Sequence, residues 1–168
     1  NGGTAGDRAG VAASITGDVN GDGIDDILVG APRADVGGIT DAGSTYVVFG
    51  KKDTAAVELS NVAGGNDGFI IKGAAAGDLS GWIKSAGDIN DDGLVDMIVG
   101  SYQADPGGTS NAGSAHVIFG KADTVSVDLN DINAGNGGFS IHGISADDEA
   151  GWDVAGGSDV NGDGMLDI

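Results

Sequence analysis

A nine-residue acidic stretch occurs three times at nearly constant spacing, and that periodicity constrains the chain more than any other feature. Asp18-Val-Asn-Gly-Asp-Gly-Ile-Asp-Asp26 returns 70 residues later as Asp88-Ile-Asn-Asp-Asp-Gly-Leu-Val-Asp96, and 71 residues further on as Asp159-Val-Asn-Gly-Asp-Gly-Met-Leu-Asp167. The residues between these stretches repeat as well. Gly43-Ser-Thr-Tyr-Val-Val-Phe-Gly50 matches Gly113-Ser-Ala-His-Val-Ile-Phe-Gly120, and Gly68-Phe-Ile-Ile-Lys-Gly73 matches Gly138-Phe-Ser-Ile-His-Gly143. Gly81-Trp82 matches Gly151-Trp152, with Gly10-Val11 in the first copy. In repeat architectures of this kind each unit buries its apolar face against its neighbour.

One unit contains four short apolar runs, at about 10–16, 26–30, 44–50 and 68–73, each bounded by glycine or polar clusters. The second to fourth are rich in Ile, Val or aromatic residues, the composition of strands. No helical periodicity separates them, which favours antiparallel meanders over βαβ units. The expected fold class is therefore all-β, built from β-propeller blades of four antiparallel strands. A stacked solenoid is the alternative, although solenoid repeats are usually shorter. The units are 1–71, 72–141 and 142–168, the last supplying only a first strand and its acidic loop. That amounts to about 2.4 blades, and closure takes at least about four. The expectation is a segment of a larger propeller, with the remaining blades supplied by a parent chain or by other chains. A ring of identical copies fits badly, because 142–168 would duplicate the opening residues of the next chain.

Composition narrows the function. Seven Lys+Arg stand against 26 Asp+Glu, a formal net charge of −19. Nucleic acid and anionic membrane surfaces are disfavoured as partners, since phosphate contacts require Lys and Arg. The absence of cysteine excludes a disulfide framework and thiol chemistry but does not fix the compartment. No apolar run is long enough to span a membrane. No signal peptide is visible, and the chain begins in mid-pattern.

The acid spacing points to calcium, a hard cation that prefers several oxygen ligands in a tight loop. In the first loop Asp18, Asn20 and Asp22 occupy alternate positions, Ile24 can offer its backbone carbonyl, and Asp26 closes the site. Gly23 falls where the chain must bend sharply. The second loop offers Asp88, Asn90, Asp92, the Leu94 carbonyl and Asp96, with Gly93 at the bend. The third offers Asp159, Asn161, Asp163, the Met165 carbonyl and Asp167, with Gly164. An EF-hand requires an acid at the twelfth position, where Val29 and Val99 stand instead. Polar hairpin turns are the competing reading, since Asp, Asn and Gly favour turns anyway. Three copies that keep the same acids, Asn and Gly favour three Ca²⁺ sites. Asp25 and Asp91 fall outside the ligand pattern. Three Ca²⁺ (+6) would carry the formal charge from −19 to −13.

Taken together, these residues resemble the FG-GAP repeats of the integrin α-subunit propeller and its bacterial relatives. Phe49-Gly50 and Phe119-Gly120 correspond to the FG element and Gly30-Ala31-Pro32 to the GAP element, from which Gly100-Ser101-Tyr102 departs. The resemblance implies a seven-bladed propeller with calcium loops on one face and ligand binding from loops on the opposite face. It implies adhesion or ligand binding in a secreted or cell-surface protein, the metal being structural. The loops 31–43 and 101–112 are then the candidates for a protein or glycan ligand. They share Ala34-Asp35 with Ala104-Asp105, and Ala42-Gly43 with Ala112-Gly113. Arg33-Ala34-Asp35 has the wrong middle residue for an integrin-recognition tripeptide.

Other candidates carry less. His116 takes the place of Tyr46 and His142 that of Lys72, on strands and without a paired metal ligand, so structural or surface roles are expected. Trp82 and Trp152 are expected to pack between blades. No nucleophile–base pair, phosphate loop or zinc cluster is evident, and the chain is not expected to be an enzyme. The alternatives are an accessory propeller of an extracellular hydrolase or lyase, and a pure scaffold. Extracellular modules hold calcium with Kd of roughly 0.1–1 mM. At about 1 mM free calcium, a site at the tighter end stabilises the fold by about 1.4 kcal/mol. A calcium-poor cytosol would remove that contribution, so an extracellular or surface location is expected.

Overall fold

The computed structural model describes residues 5–168, so the first four residues of the unit 1–71 lie outside the described residues. Glycine and polar clusters interrupt every apolar run, and the chain accordingly forms short strands. They are β1 (Ala12–Gly17), β2 (Asp26–Ala31), β3 (Ser44–Val48), β4 (Gly68–Lys72), β5 (Trp82–Gly87), β6 (Asp96–Ser101), β7 (Ser114–Ile118), β8 (Val127–Asp128) and β9 (Gly138–His142). The four runs read in the first unit coincide with β1 to β4 to within two residues at either end. The chain is all-β, and the units 1–71 and 72–141 each form a propeller-type blade.

The first blade pairs β1, β2, β3 and β4 in order, all antiparallel, and the second pairs β5, β6, β7 and β9 in the same way. Register repeats with the sequence: Val47 faces Phe69 and Val117 faces Phe139. A β-bulge falls before Gly17 in one blade and before Gly87 in the other. Both glycines take positive φ, 93° and 74°, which an L side chain resists.

Two helices were not foreseen from the sequence, α1 (Leu59–Ala63) and α2 (Leu129–Asn133). Each lies between the third and fourth strands of its blade. At five residues neither is long enough to display a 3.6-residue period. Leu129 and Ile132 are buried, and the Asp128 side chain accepts from the Asn130 N–H to cap α2.

The first strand expected within 142–168 does not form. Its ladder partner would be the counterpart of β2, of which the sequence contains only Asp167 and Ile168. A single bridge between Ser158 and Asp167 remains.

One apolar core crosses from blade to blade. Leu28, Val47, Phe69 and Ile71 of the first pack with Ile83, Met97 and Val99 of the second. Parallel pairing of Ile71 and Lys72 with Val127 and Asp128 adds β8 to the outer edge of the first sheet. The motif glycines sit where backbones close in. A Cβ on Gly30 would collide with the Gly81 carbonyl of the next blade, and one on Gly100 with the Gly151 carbonyl. Trp82 and Trp152 stack with centroids 6.0 Å apart, and Tyr102 meets Trp152 edge-on at 4.4 Å. Trp82 is half-buried in this cluster and Trp152 is 52% exposed. Among the described residues no helix is long and apolar enough to cross a membrane.

Candidate metal centre

The first two acidic loops join the first and second strands of their blades, and in all three loops the side chains organise the backbone. In the first loop Asp18 accepts from the N–H groups of Gly21, Asp22 and Gly23 at 2.7–3.0 Å. Asn20 accepts from the Asp22 N–H, and Asp22 accepts from the Ile24 N–H and the Asn20 amide. The second loop repeats this pattern: Asp88 accepts from Asp92 and Gly93, Asn90 from Asp92, and Asp92 from Leu94 and the Asn90 amide. The third does so through Asp159, Asn161, Asp163 and Met165. The sixth-position glycines 23, 93 and 164 have φ of 83°, 90° and 90°, the bend expected of them. Asp25 and Asp91 are exposed, as turn residues are.

The ninth-position acids have a role that spacing did not reveal. Asp26 is fully buried, and its two oxygens accept from Val19 N–H at 2.8 Å and Gly50 N–H at 2.7 Å. Asp96 does the same with Ile89 and Gly120, at 2.9 and 2.8 Å. One carboxylate thus ties the loop's start to the glycine that follows the third strand. In the third loop Asp167 holds Val160 N–H at 2.8 Å, while its other oxygen faces the Asn161 amide at 3.5 Å. The FG glycine is needed for this contact, because a Cβ on Gly50 would strike the Asp25 carbonyl and the Ile24 side chain.

Burial pushes the Asp26 carboxyl above the usual carboxylate range; two backbone N–H bonds oppose that shift, and the charges of Asp22 and Asp18 add to it. The Asp96 carboxyl is raised for the same reasons, with Asp92 and Asp88 as the neighbouring charges. The ion pairs found among the described residues, Arg33–Asp41, Lys51–Asp53 and Lys121–Asp123, all lie outside the loops. Among the described residues no three His, Cys, Asp or Glu side chains converge as a ready cage. The loop donor sets are instead mixed, three carboxylates with an Asn oxygen and a carbonyl, which is the chemistry a hard divalent cation accepts.

Successive loops occupy the same face of successive blades. The Asp18 carbonyl accepts from Val95 N–H at 3.0 Å and the Val19 carbonyl from Lys121 N–H at 2.9 Å. The loops 31–43 and 101–112 join the second and third strands. Their shared residues fasten their bases: Asp35 accepts from Asp41 N–H, Asp105 from Asn111 N–H, and the Gly43 and Gly113 N–H groups donate to Ala34 and Ala104. Arg33 pairs with Asp41 at 3.7 Å within the loop. His116 is buried against Ser140, and His142 bonds Ser114 from an exposed position.

Residues 9–48 match the family model described as FG-GAP repeat. The chain is similar to Integrin alpha pat-2 of Caenorhabditis elegans, 33% identical over 160 residues, covering 90% of this chain and 12% of that protein. The Caenorhabditis briggsae protein of the same name is 36% identical over 157 residues, with the same coverage, 90% and 12%. Phosphatidylinositol-glycan-specific phospholipase D of Bos taurus is 29% identical over 149 residues, covering 82% of this chain and 17% of the enzyme. The chain therefore spans well under a fifth of the length of these relatives. The matched segment holds β1 to β3 with the first acidic loop, and the second blade repeats it strand for strand: the chain belongs to the FG-GAP repeat family.

Proposed function

We propose that this propeller segment is held by three structural Ca²⁺ ions and serves adhesion or ligand binding in a secreted or cell-surface protein. The supporting observation is the electrostatics of the loops: carboxylates gathered, among the described residues, without a basic partner, with a buried Asp26 or Asp96 whose charge is disfavoured first by burial and further by its neighbours' charges. A divalent cation relieves that repulsion, and the acceptors are already fixed by backbone hydrogen bonds. Asp18, Asn20, Asp22, the Ile24 carbonyl and Asp26 would hold the first ion. Asp88, Asn90, Asp92, the Leu94 carbonyl and Asp96 would hold the second, and Asp159, Asn161, Asp163, the Met165 carbonyl and Asp167 the third. The ion supplies charge neutralisation and cross-linking. The chain's own residues clamp the first strand to the second, and through Gly50 and Gly120 to the third.

The loops 31–43 and 101–112 are the proposed contact surface for a protein or glycan, since their bases are tied alike while their tips differ. The role is binding rather than catalysis. An external location follows from the need for millimolar calcium. Calorimetric titration of calcium into the chelator-treated chain, paired with thermal melts, tests the metal. Saturable binding with a raised Tm is expected, and absence of both would refute it. A second reading, an accessory propeller within an enzyme, is favoured by the similarity to phospholipases D. Finding an acid/base or nucleophilic site in a domain contiguous with this one would favour it.

A further inference from the structure

The two blades share a 70-residue repeat, and several of the places where they differ converge on one cavity. In the first blade the sheet face beneath α1 is apolar: Tyr46, Ile70 and Val62 pack with Ala31 and Ala34, all buried. In the second blade His116 stands for Tyr46, Ser140 for Ile70, His142 for Lys72 and Asn133 for Ala63. On β7 and β9, Ser114 faces His142 and His116 faces Ser140, so these four side chains share one side of the sheet. Ser114, His116 and His142, with Ser140 held behind His116, border a cavity of about 270 Å³ whose lining also includes Asn133, Asp78 of the preceding connection and Asp105 of the 101–112 loop. A neighbouring depression bordered by Pro106, Gly107, Asn133 and His142 opens it to solvent.

Hydrogen bonding sets the chemistry of the lining. The Ser140 hydroxyl donates to Asn133 Oδ1 at 2.7 Å, so its oxygen must accept from His116 Nδ1–H at 2.9 Å. This makes Nε2 of His116 the lone-pair nitrogen. Burial, followed by the charge of His142, lowers the His116 pKa to about 4, so the ring is neutral at physiological pH. His142 uses Nδ1 on Ser114 at 2.9 Å, which leaves Nε2 for a ligand. The carboxylates of Asp78 and Asp105 each hold one backbone N–H and keep acceptor capacity.

We propose that this cavity binds a small neutral polyhydroxyl compound of monosaccharide size. Hydroxyl groups both donate and accept, matching imidazole nitrogens, amides and carboxylates side by side. An anion would meet two carboxylates and no Lys or Arg among the lining residues. A transition metal would need three His or acidic ligands converging, and among the described residues none do. An apolar guest would bury these polar groups unpaired. The volume lies at the small end of ligand sites. The site takes Ala104, Asp105, Pro106 and Gly107 from the 101–112 loop and so extends the contact surface proposed there, while it stands apart from the calcium loops and does not depend on their binding a metal.

The test uses the 168-residue chain with a panel of free monosaccharides (glucose, galactose, mannose, fucose, N-acetylglucosamine), inositol, ethylammonium and inorganic phosphate. Saturation-transfer NMR and calorimetry measure binding, and imidazole ¹⁵N shifts report contact at Nε2. At least one monosaccharide or inositol should bind saturably and shift the His116 or His142 resonances. The variant His116→Tyr with Ser140→Ile restores the residues the first blade already packs, and should weaken binding by roughly tenfold or more without lowering Tm. Should that variant not fold, Asn133→Ala, at an exposed position, should weaken binding with unchanged circular dichroism. No polyhydroxyl binding up to about 50 mM, binding of ethylammonium or phosphate alone, or sugar binding unaltered in a folded variant would overturn the proposal.

Discussion

Phe69 and Phe139 occupy the same register position in their blades, yet Phe69 is fully buried and Phe139 is 41% exposed. The difference arises because Phe69 belongs to the core shared with Ile83, Met97 and Val99 of the second blade. Its ring also meets Phe49 edge-on at 6.0 Å, and Lys121 Nζ lies 5.0 Å from its centroid. Phe139 has a comparable ring contact, with Phe119 at 6.4 Å, but lies outside that shared core. Truncating a buried phenylalanine costs about 3–5 kcal/mol through lost transfer energy and the cavity left behind. For Phe139 the exposed share and the looser surroundings reduce this to about 1–2 kcal/mol. Phe69→Ala should therefore destabilise by about 2–3 kcal/mol more than Phe139→Ala. For a chain of this size that separates the two melting temperatures by roughly 4–12 °C. Urea unfolding followed by far-UV circular dichroism and tryptophan fluorescence measures both variants against the parent. Equal losses would refute the reasoning, because the shared inter-blade core would then contribute nothing at Phe69.

The two roles assigned to loop acids can be separated. Asp96→Asn should destabilise the calcium-free chain by about 1–3 kcal/mol, because one of two part-buried N–H groups loses its carboxylate oxygen; exposed Asp92→Asn should leave calcium-free stability nearly unchanged while lowering calcium affinity in calorimetry. Gly50→Ala should cost roughly 1–3 kcal/mol in urea melts by forcing the loop from the third strand, whereas Gly64→Ala, with a negative φ of −84° and no atom nearer than 3.3 Å to an added Cβ, should be far milder. Stability should also fall with acidification through His116. Its folded pKa of about 4 lies below the ordinary 6.5, so the unfolded chain binds the proton more tightly between those values. Across that window stability should drop by roughly 1.4 kcal/mol per pH unit, and His116→Tyr should remove that component from the pH dependence of denaturant midpoints.

Much of the molecule was legible from the order of residues alone. A strand needs only a run of β-favouring residues between breakers, so β1 to β4 and their repeats followed directly from the apolar runs. The acid, Asn and glycine positions of the loops were equally local, since side chains two to five residues apart meet across one bend. The helices α1 and α2 escaped because five residues make too little of a period. The function of Asp26 escaped for another reason: its partner Gly50 lies 24 residues away, and only strand pairing brings the two together. The same holds for the cavity beside His116, whose walls come from β7, β9, α2, the 101–112 loop and the 74–78 connection, and for Phe69 and Phe139, identical in pattern but different in burial. Sequence by itself determined which units exist and how each folds, because those choices depend on near neighbours. Tertiary structure decided which carboxylates are clamps, which faces are core and where a ligand could enter, because those depend on which distant residues strand pairing and blade packing bring together.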